Sequence, residues 1–450
     1  MKVHFIAIGG SAMHNLAIAL VKKGYAVTGS DDEIFEPSRS RLKKYGIMPE
    51  KEGWYPEKIR FIPDAVILGM HARDDNPELL EAKKLGIKIF SYPEYLYEQS
   101  KNKKRVVIGG SHGKTTITSM ILHVLQALKM ECDYMVGAQL EGFEVMVKIS
   151  ETAPVMILEG DEYLTSPIDR RPKFHVYRPH IAMISGIAWD HINVFPTVEN
   201  YVEQFQIFAG LITPNGSLIY CKDDPEVKKI GENTRPDVLS VPYSLPEFSI
   251  VDGITYILHQ NKKIPLKIFG EHNLLNLEGA RLVCKQLGIG TEDFYSSIQS
   301  FSGASKRLEI VAQNTDTKVF KDFAHSPSKL MATTSAVKKQ FPERELVACI
   351  ELHTYSSLNE KFLGHYKGCL DHADIAKIYF NPHTIQLKKL PEIKPDQVKE
   401  AFGNSRVEVY TDSNLLKQDL LKINWKNKNL LMMSSGDFDG IDIAELGKRA

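Results

Sequence analysis

The chain of 450 residues is long enough for two to four domains that each bury a hydrophobic core. Its 56 Lys and Arg residues balance 56 Asp and Glu residues, which excludes the global basic field that attracts nucleic acid or an anionic membrane. Five cysteines without a Cys-x-x-Cys pair argue against a zinc knuckle or a disulfide framework, and no apolar run approaches the roughly 18 residues that span a bilayer. We therefore expect a soluble, cytoplasmic protein.

The first segment, residues 1–99, alternates apolar strands with a glycine turn and helices, which is typical of parallel βαβ units. The pattern predicts a helix over Ala12–Lys23 and strands at Val3–Ile8, Ala26–Gly29, Ala65–Leu68 and Ile87–Phe90. Gly9, Gly10 and Ser11 follow the first strand like a nucleotide-binding turn, but Gly-x-Gly-x-x-Gly is not satisfied. Asp31, at the end of the second strand, suits a ribose-binding acid. A nucleotide diphosphate other than NAD is favoured.

The most informative stretch follows an apolar strand at Val106–Ile108 and reads Gly109-Gly110-Ser111-His112-Gly113-Lys114-Thr115-Thr116. Apolar residues then recur at helical spacing from Ile117 to Leu128. A strand, a glycine-rich turn and a helix in this order present backbone N–H groups and a helix N-terminus to a phosphate. Lys114 is expected to reach the β- and γ-phosphate oxygens, and a Thr hydroxyl is expected to bind Mg²⁺. Although the turn is shorter than the usual P-loop, the sequence predicts binding of a nucleoside triphosphate.

Two further strands of this region end in residues that suit a metal ion. The strand Val155–Leu158 ends in Glu159-Gly160-Asp161-Glu162, and the strand Ile181–Ser185 leads to Trp189-Asp190-His191. Ligands of open α/β sheets bind at the carboxyl ends of the strands, and Mg²⁺ prefers oxygen ligands. We expect Glu159, ahead of Asp161 and Glu162, to bind Mg²⁺, and His191, oriented by Asp190, to make a second metal contact. A solvated acidic loop and a structural histidine are the alternatives.

Two polar stretches, Glu98–Arg105 and Ser300–Ser305, are interpreted as linkers, which gives domains at residues 1–99, 100–303 and 304–450. The chain between about 215 and 268 favours a small antiparallel insert, and residues 228–265 carry no functional signal. Strands of the last segment are predicted near Val319–Phe320, Leu346–Glu351, Ile378–Phe380 and Asn429–Met433.

Three groups around the second linker are candidates for nucleotide contacts. His272 and Asn273 open an amphipathic helix, where Asn273 suits an adenine edge and His272 suits stacking on a base, although Asn273 suits a helix N-cap equally well. Arg307, just past the linker, suits the charge on a transferring phosphoryl group, and a surface cation is the alternative. Asp322, after the first strand of the last segment, suits a ribose hydroxyl.

In this order the pieces resemble the Mur ligase family, the ATP-dependent amide-forming enzymes of peptidoglycan assembly. The resemblance covers essentially the whole chain and rests on His-Gly-Lys-Thr-Thr (112–116), Glu-x-Asp-Glu (159–162), Asp-His (190–191), His-Asn-x-x-Asn (272–276), Phe-x-Gly-x-x-x-Arg (301–307) and Asp-Phe-Ala-His-x-Pro (322–327). It implies an α/β fold with a Rossmann-like UDP-binding domain, a central P-loop ATPase domain, and a C-terminal Rossmann-like domain that closes over ATP and binds the amine substrate. It also implies that a substrate carboxylate attacks the γ-phosphate of MgATP and that an amino group then displaces phosphate from the acyl phosphate.

The same resemblance implies a role for each site residue. Catalysis is assigned to Lys114, His191 and Arg307, and Mg²⁺ to Thr115, Glu159 and His191. ATP is assigned to Gly110, Ser111, His112, Gly113, Lys114, Thr115, Thr116, His272, Asn273, Asn276, Arg307, Asp322 and His325, with His272 and Asn273 on the adenine and Asp322 on the ribose. The sugar nucleotide is assigned to Gly9, Gly10, Ser11, Ser30, Asp31 and His71.

The resemblance also narrows the substrates. Several members carry a carbamylated lysine shortly after the Asp-His pair, but Tyr201–Gln206 contains none, which is typical of the branch that starts from UDP-N-acetylmuramate. Asp169–Pro179 and Met433–Ile441 favour the tripeptide L-alanyl-γ-D-glutamyl-meso-diaminopimelate as the acceptor, whereas Glu351–Ser356 resembles alanine-adding members. We expect the tripeptide, with L-alanine as the alternative and a P-loop switch ATPase as the alternative of a different class. We expect no nucleic acid partner, no membrane insertion, and a monomer or weak homodimer.

Overall fold

The structure is a computed structural model that describes residues 1–140, 142–189, 194–304, 307–404 and 406–449. The chain forms two compact units, Met1–Ser244 with Leu277–Ser297, and Leu245–Asn276 with Ile298–Ala450. Both contain a largely parallel sheet with helices, so the predicted α/β class is confirmed. The three domain boundaries stay a prediction. Within the described ranges, no helix combines the length and the apolar character needed to cross a membrane.

The first sheet lies in the amino-terminal part of the first unit. Its elements are β1 (Lys2–Ile6), α1 (Ser11–Lys22), β2 (Ala26–Ser30), α2 (Ser38–Lys44), α3 (Pro56–Ile59), β3 (Ala65–Leu68), α4 (Pro77–Lys84), β4 (Ile89–Ser91) and α5 (Tyr92–Ser100). The strands pair in parallel in the order β2-β1-β3-β4, which confirms the predicted βαβ pattern. Because β1 and β2 are neighbours in register, their carboxyl ends bring Gly9 and Asp31 together.

The stretch Glu98–Arg105, predicted to be a linker, is mostly taken up by regular elements. Helix α5 begins at a capping box formed by Ser91 and Glu94 and continues to Ser100, and the next strand starts only four residues later, at Lys104. Arg105 is buried, and its guanidinium donates to the carbonyl oxygens of Ser100 at 2.7 Å and Tyr177 at 2.9 Å. The polar residues therefore complete the hydrogen bonding of a helix end and a strand start.

The second sheet, also in the first unit, carries the glycine-rich loop. Its elements are β5 (Lys104–Gly109), α6 (Lys114–Ala127), β6 (Asp133–Met135), β7 (Val147–Lys148), β8 (Val155–Glu159), β9 (Ile181–Ile184), α7 (Val198–Gly210), β10 (Ser217–Cys221), α8 (Pro225–Glu232) and β11 (Leu239–Tyr243), with a short 3-10 helix at Lys173–His175. The order is β11-β10-β9-β5-β8-β6-β7, parallel except for β7. The predicted strands and helix of this region are confirmed. Because β5 lies between β8 and β9, the loops after these three strands meet at one edge.

The remaining elements are β12 (Phe248–Val251), β13 (Ile254–His259), β14 (Lys262–Leu266), α9 (Glu271–Gln286), α10 (Thr291–Ile298), β15 (Glu309–Gln313), β16 (Lys318–Asp322), α11 (Pro327–Gln340), β17 (Glu345–Glu351), α12 (Glu360–Leu363), β18 (Ile375–Tyr379), α13 (Pro382–Leu387), α14 (Pro395–Phe402), β19 (Val407–Tyr410), α15 (Ser413–Lys422), β20 (Lys428–Met433) and α16 (Ile443–Arg449), with a 3-10 helix at Gly364–Tyr366. Strands β12, β13 and β14 form an antiparallel sheet, which confirms the predicted insert from residue 248 onwards. The six-stranded sheet has the order β15-β16-β20-β17-β18-β19, in which only β15 is antiparallel.

Candidate nucleotide and metal site

The loop between β5 and α6 is shaped by two glycines with positive φ. Gly110 has φ 132° and Gly113, which precedes the first residue of α6, has φ 78°. A Cβ on Gly110 would collide with the Ser185 hydroxyl and lie 3.1 Å from its backbone nitrogen. The Ser185 hydroxyl in turn donates to the His112 carbonyl oxygen. Only glycine therefore lets the loop pass this close to the end of β9, with the N-terminus of α6 at its exit.

Lys114 lies at the first position of α6 and forms an ion pair with Glu162. Its ammonium is 2.6 Å from Oε2 of Glu162 and donates to the Gly110 carbonyl oxygen at 2.6 Å. The Lys114 side chain is only 14 % exposed and that of Glu162 only 3 % exposed. A bound phosphate would therefore compete with a carboxylate for an ammonium that is already in place.

Glu159 and Thr115 form a second oxygen cluster beside this pair. Both residues are buried, and the Thr115 hydroxyl donates to Oε1 of Glu159 at 2.8 Å, while the Gly137 amide donates to Oε2 at 2.8 Å. The hydroxyl and the carboxylate are hard oxygen ligands at the edge where a phosphate would lie, so their chemistry fits Mg²⁺. In the described residues no group of three His, Cys, Asp or Glu side chains could hold a metal ion. Mg²⁺ would therefore need phosphate oxygens and waters for its remaining positions.

For both Glu159 and Lys114, burial and the neighbouring polar or charged groups shift the pKa in opposite directions. Burial raises the pKa of Glu159, and the Gly137 amide, Lys114 and Thr115 only partly offset it. Burial alone would lower the pKa of Lys114, but the charges of Glu162 and Asp161 outweigh it and raise that pKa. Lys114 therefore stays charged.

Two residues of this site were missed or ranked low in the sequence. Glu162, ranked behind Glu159, holds Lys114, whereas Asp161 turns to Lys173 at 2.5 Å. Tyr201, on α7, is fully buried, and its hydroxyl lies 2.9 Å from Ser111 Oγ and 3.3 Å from Oε1 of Glu162. A tyrosine inside an amphipathic helix gave no functional signal, because its contacts come from distant parts of the chain.

The other loop residues that were expected to bind ATP lie in the same loop or in the first turn of α6. Ser111 is engaged by the protein, since its hydroxyl also accepts from the Ala188 amide at 2.9 Å. Thr116 is buried in the first turn of α6. His191 and its expected partner Asp190 lie outside the described residues.

The expected sugar-nucleotide turn has a carboxyl group at its centre. Asp31 is buried and accepts from the Gly9 amide at 2.6 Å, and burial raises its pKa to about 7. Gly10 precedes α1, whose first residue, Ser11, is exposed. Ser30 is buried, and its hydroxyl accepts from Lys58 at 3.3 Å. His71, after β3, is exposed.

In the second unit, His272, Asn273 and Asn276 lie in the first two turns of α9. Burial lowers the pKa of His272 against the opposing charge of Asp322. Asn276 is buried. Asn273 is not the N-cap, because α9 already begins at Glu271, and its side-chain amide donates to the Phe269 carbonyl oxygen at 2.9 Å.

The remaining candidates of the second unit surround Phe323. The Arg307 guanidinium lies over the Phe323 ring, 4.7 Å from its centroid, and the His325 ring meets the same phenyl ring edge to face at 5.2 Å. Asp322 accepts from the backbone amides of Leu308 at 2.5 Å and Ala324 at 2.7 Å. Its carboxylate therefore helps to shape the turn that carries Arg307.

Comparison with protein families gives two matches that together span most of the first unit. The model described as the Mur ligase middle domain matches residues 108–284, and the model described as the Mur ligase family, catalytic domain, matches residues 2–104. Two curated relatives are named UDP-N-acetylmuramate--L-alanine ligase. The one from Rubrobacter xylanophilus is 27% identical over 448 residues and covers 97% of both chains. The one from Clostridium kluyveri is 31% identical over 367 residues, 79% of this chain and 78% of the relative.

Solved structures share the fold at lower identity. The UDP-N-acetylmuramate-alanine ligase of Thermotoga maritima has a TM-score of 0.70 at 22% identity and covers 100% of this chain and 98% of its own. A murein peptide ligase from Psychrobacter arcticus has a TM-score of 0.64 at 20% identity, with 99% of each chain covered. A MurF ligase from Thermotoga maritima, solved in complex with ADP, has a TM-score of 0.63 at 17% identity and covers 88% of this chain and 91% of its own.

The prediction of a tripeptide acceptor is wrong, because the curated relatives over the length of the chain are alanine ligases. The two stretches on which that prediction was based make structural contacts with residues close to them in the fold. In one, Asp169 and Arg171 pair with each other at 2.6 Å on the surface. In the other, the Phe438 amide donates to the buried Glu351 carboxylate at 2.8 Å, so the stretch closes a turn after β20.

Proposed function

This chain belongs to the Mur ligase family of ATP-dependent ligases that form C–N bonds, and we propose that it joins the carboxylate of UDP-N-acetylmuramate to the amino group of L-alanine. The observation that carries the proposal is the similarity, over 97% of both chains, to a ligase named for these two substrates. The loop before α6 supports it, since Lys114 and Thr115 stand at a helix N-terminus beside Glu159. Because ATP and UDP-sugars are cytoplasmic compounds, the proposal includes a cytoplasmic location.

In the first step, the γ-phosphate of ATP is transferred to the muramate carboxylate, and ADP leaves. Lys114 binds the β- and γ-phosphates with an ammonium that its carboxylate neighbours keep charged. The glycine loop and the first turn of α6 contribute backbone N–H groups and the positive end of the helix dipole. Arg307 adds a further cation for the transferring phosphoryl group, and His272, Asn273, Asn276, Asp322 and His325 hold the adenosine part.

Thr115 and Glu159 would hold Mg²⁺, with His191 as the contact to a second ion. When bound, Mg²⁺ neutralises charge on the phosphate oxygens. The Thr115 hydroxyl donates to Oε1 of Glu159, so the two oxygens lie 2.8 Å apart. Little rearrangement is needed to turn both oxygens toward a cation.

In the second step, the amino group of L-alanine attacks the acyl phosphate, the C–N bond forms and phosphate leaves. The sugar nucleotide lies at the turn Gly9, Gly10 and Ser11, with Ser30, Asp31 and His71 around it. Positioning of three substrates and neutralisation of phosphate charge account for the catalysis.

The test is phosphate release from ATP by the purified protein with UDP-N-acetylmuramate and L-alanine. We expect release that requires both substrates and a product in which alanine is bound as an amide. The matched control replaces L-alanine with the tripeptide L-alanyl-γ-D-glutamyl-meso-diaminopimelate, and release with the tripeptide alone would overturn the proposal. Hydrolysis of ATP without the UDP-sugar would instead favour a P-loop switch ATPase.

A further inference from the structure

Asn15, in the second turn of α1, makes a contact that the proposed chemistry does not use. It is fully buried, and its Oδ1 accepts from the backbone amide of Met146, 131 residues away, at 3.0 Å. Its Nδ2 donates to the carbonyl oxygen of Ser11 at 2.8 Å. One of these partners is a donor and the other an acceptor, and the amide of asparagine supplies an oxygen that accepts and a nitrogen that donates.

The Met146 peptide continues this contact toward the metal cluster. Its carbonyl oxygen accepts from the amide of Val136 at 3.0 Å. The next amide, that of Gly137, donates to Oε2 of Glu159 at 2.8 Å, and Oε1 of Glu159 accepts from Thr115. Hydrogen bonds and the backbone of Met146, Val136 and Gly137 therefore link α1 with the carboxylate expected to bind Mg²⁺.

The backbone at Gly137 leaves no room for a side chain. A Cβ at Gly137 would lie 2.7 Å from Oε1 and 3.1 Å from the carboxyl carbon of Glu159. The carboxylate thus rests directly on this backbone, and the orientation of the Gly137 amide fixes where Glu159 points.

Ion pairs form a second contact between α1 and α2 and the chain segment that contains Glu144 and Met146. Glu144 pairs with Lys22 at 2.5 Å and Lys44 at 2.9 Å, and its side chain is half exposed. These pairs hold the segment against α1 and α2 without any hydrogen bond to Val136 or Gly137. Glu144 therefore contributes to the packing of this segment against α1 and α2, whereas Asn15 contributes to the orientation of the Gly137 amide.

We propose that Asn15 is a positioning residue that holds the Met146 and Gly137 peptides so that Glu159 is aimed at the metal position. The metal role of Glu159 rests on the proposed function, whereas the hydrogen-bond path does not. Asn15 also contacts the carbonyl oxygen of Ser11, the residue after the Gly9-Gly10 turn, so the path starts beside the expected sugar-nucleotide site.

The first measurement is hydrogen–deuterium exchange of the metal-free, full-length protein. Asn15→Leu, similar in size but unable to accept from Met146, should speed exchange of the Val136 and Gly137 amides by about tenfold or more. Exchange in the second half of α1 should stay unchanged. Asn15→Asp keeps the oxygen that accepts from Met146 and should restore protection. If Asn15→Leu does not fold, Asn15→Ser, too short to reach Met146, makes the same test.

The second measurement is the Mg²⁺ concentration that gives half-maximal phosphate release. We expect Asn15→Leu to raise it several-fold and Gly137→Ala, which displaces Glu159 directly, to do the same. Glu144→Gln is the matched control and should leave it unchanged.

Two outcomes would overturn the proposal: wild-type exchange at Val136 and Gly137 in Asn15→Leu, or an equal effect of Glu144→Gln on both measurements. A wild-type protein that releases no phosphate with L-alanine would reject the proposed function but leave the exchange experiment valid.

Discussion

The ion pair between Lys114 and Glu162 predicts that removing a charge from the site both destabilises the protein and tightens nucleotide binding. Glu162→Gln keeps the shape of the side chain and one hydrogen bond to the ammonium, 2.6 Å away, but removes the carboxylate charge. Removing one partner of a buried pair typically costs about 3–5 kcal/mol. Because Glu159 and Asp161 still act on Lys114, we expect a smaller loss of about 1–3 kcal/mol in the free energy of unfolding.

Binding of nucleotide phosphates should restore much of the lost free energy of unfolding, because the phosphates give Lys114 a new anionic partner. In the wild-type protein they share the charge of Lys114 with the Glu162 carboxylate, whereas in the variant the neighbouring amide is neutral. Each 1.4 kcal/mol that is returned tightens binding about tenfold. The assay is urea unfolding of both proteins, with and without ADP and with EDTA throughout, together with calorimetric titration of ADP.

The matched control is Asp161→Asn, which removes the same charge from the same loop but breaks the pair with Lys173. This pair is more exposed, so its loss should cost at most about 1 kcal/mol and change ADP affinity little. If Glu162→Gln and Asp161→Asn have the same stability and the same ADP affinity, the ion pair between Lys114 and Glu162 contributes to neither property as we expect.

Two further predictions follow from named groups. Lys114→Ala should lower amide formation about 10²-fold or more, because the phosphate loses its cation, and wild-type turnover in a coupled ATP assay would rule out the phosphate-loop assignment. Asp31 has a pKa of about 7 in the folded protein against an ordinary value of 3.8, because it is buried. The folded state therefore binds more protons between these values, and this group's contribution to stability falls as pH rises from about 4 to about 7. Urea midpoints measured across this range should fall less in Asp31→Asn, and identical slopes would contradict the assignment.

Several strands that are buried on both faces could be predicted from the sequence, as could β2 and β4 at the edges of the first sheet, but the edge strands β15 and β19 of the six-stranded sheet could not. β5, β8 and β9 are short apolar runs because both of their faces are covered. Strands β15 and β19 lie at the two edges of the six-stranded sheet and consist largely of partly exposed residues. Both are short, and they pair with β16 and β18, which a local pattern does not contain.

The site shows the same limit. The sequence predicted that Lys114, Thr115 and Glu159 lie near one another, because their positions follow from local order: strand, turn and helix for the first two, and the end of a buried strand for Glu159. The choice between Asp161 and Glu162 as the partner of Lys114 could not be predicted, since it depends on how the chain turns after β8. Asp161 is drawn to Lys173 in the 3-10 helix, and this leaves Glu162 facing the loop.

The charges at this edge explain why a phosphate-binding loop stands among acids. Glu159, Asp161 and Glu162 carry up to three negative charges, and Lys114 and Lys173 carry two positive ones, so a polyphosphate alone would approach a site with no excess of positive charge. Burial raises the pKa of Glu159, which lessens the repulsion only by adding a proton. A divalent cation beside Thr115 and Glu159 changes the sign of the balance and favours the ionised carboxylate again. On the proposed function, the site therefore suits a nucleotide that arrives with its cation, and binding of metal-free nucleotide would measure how much of that balance Lys114 can supply alone.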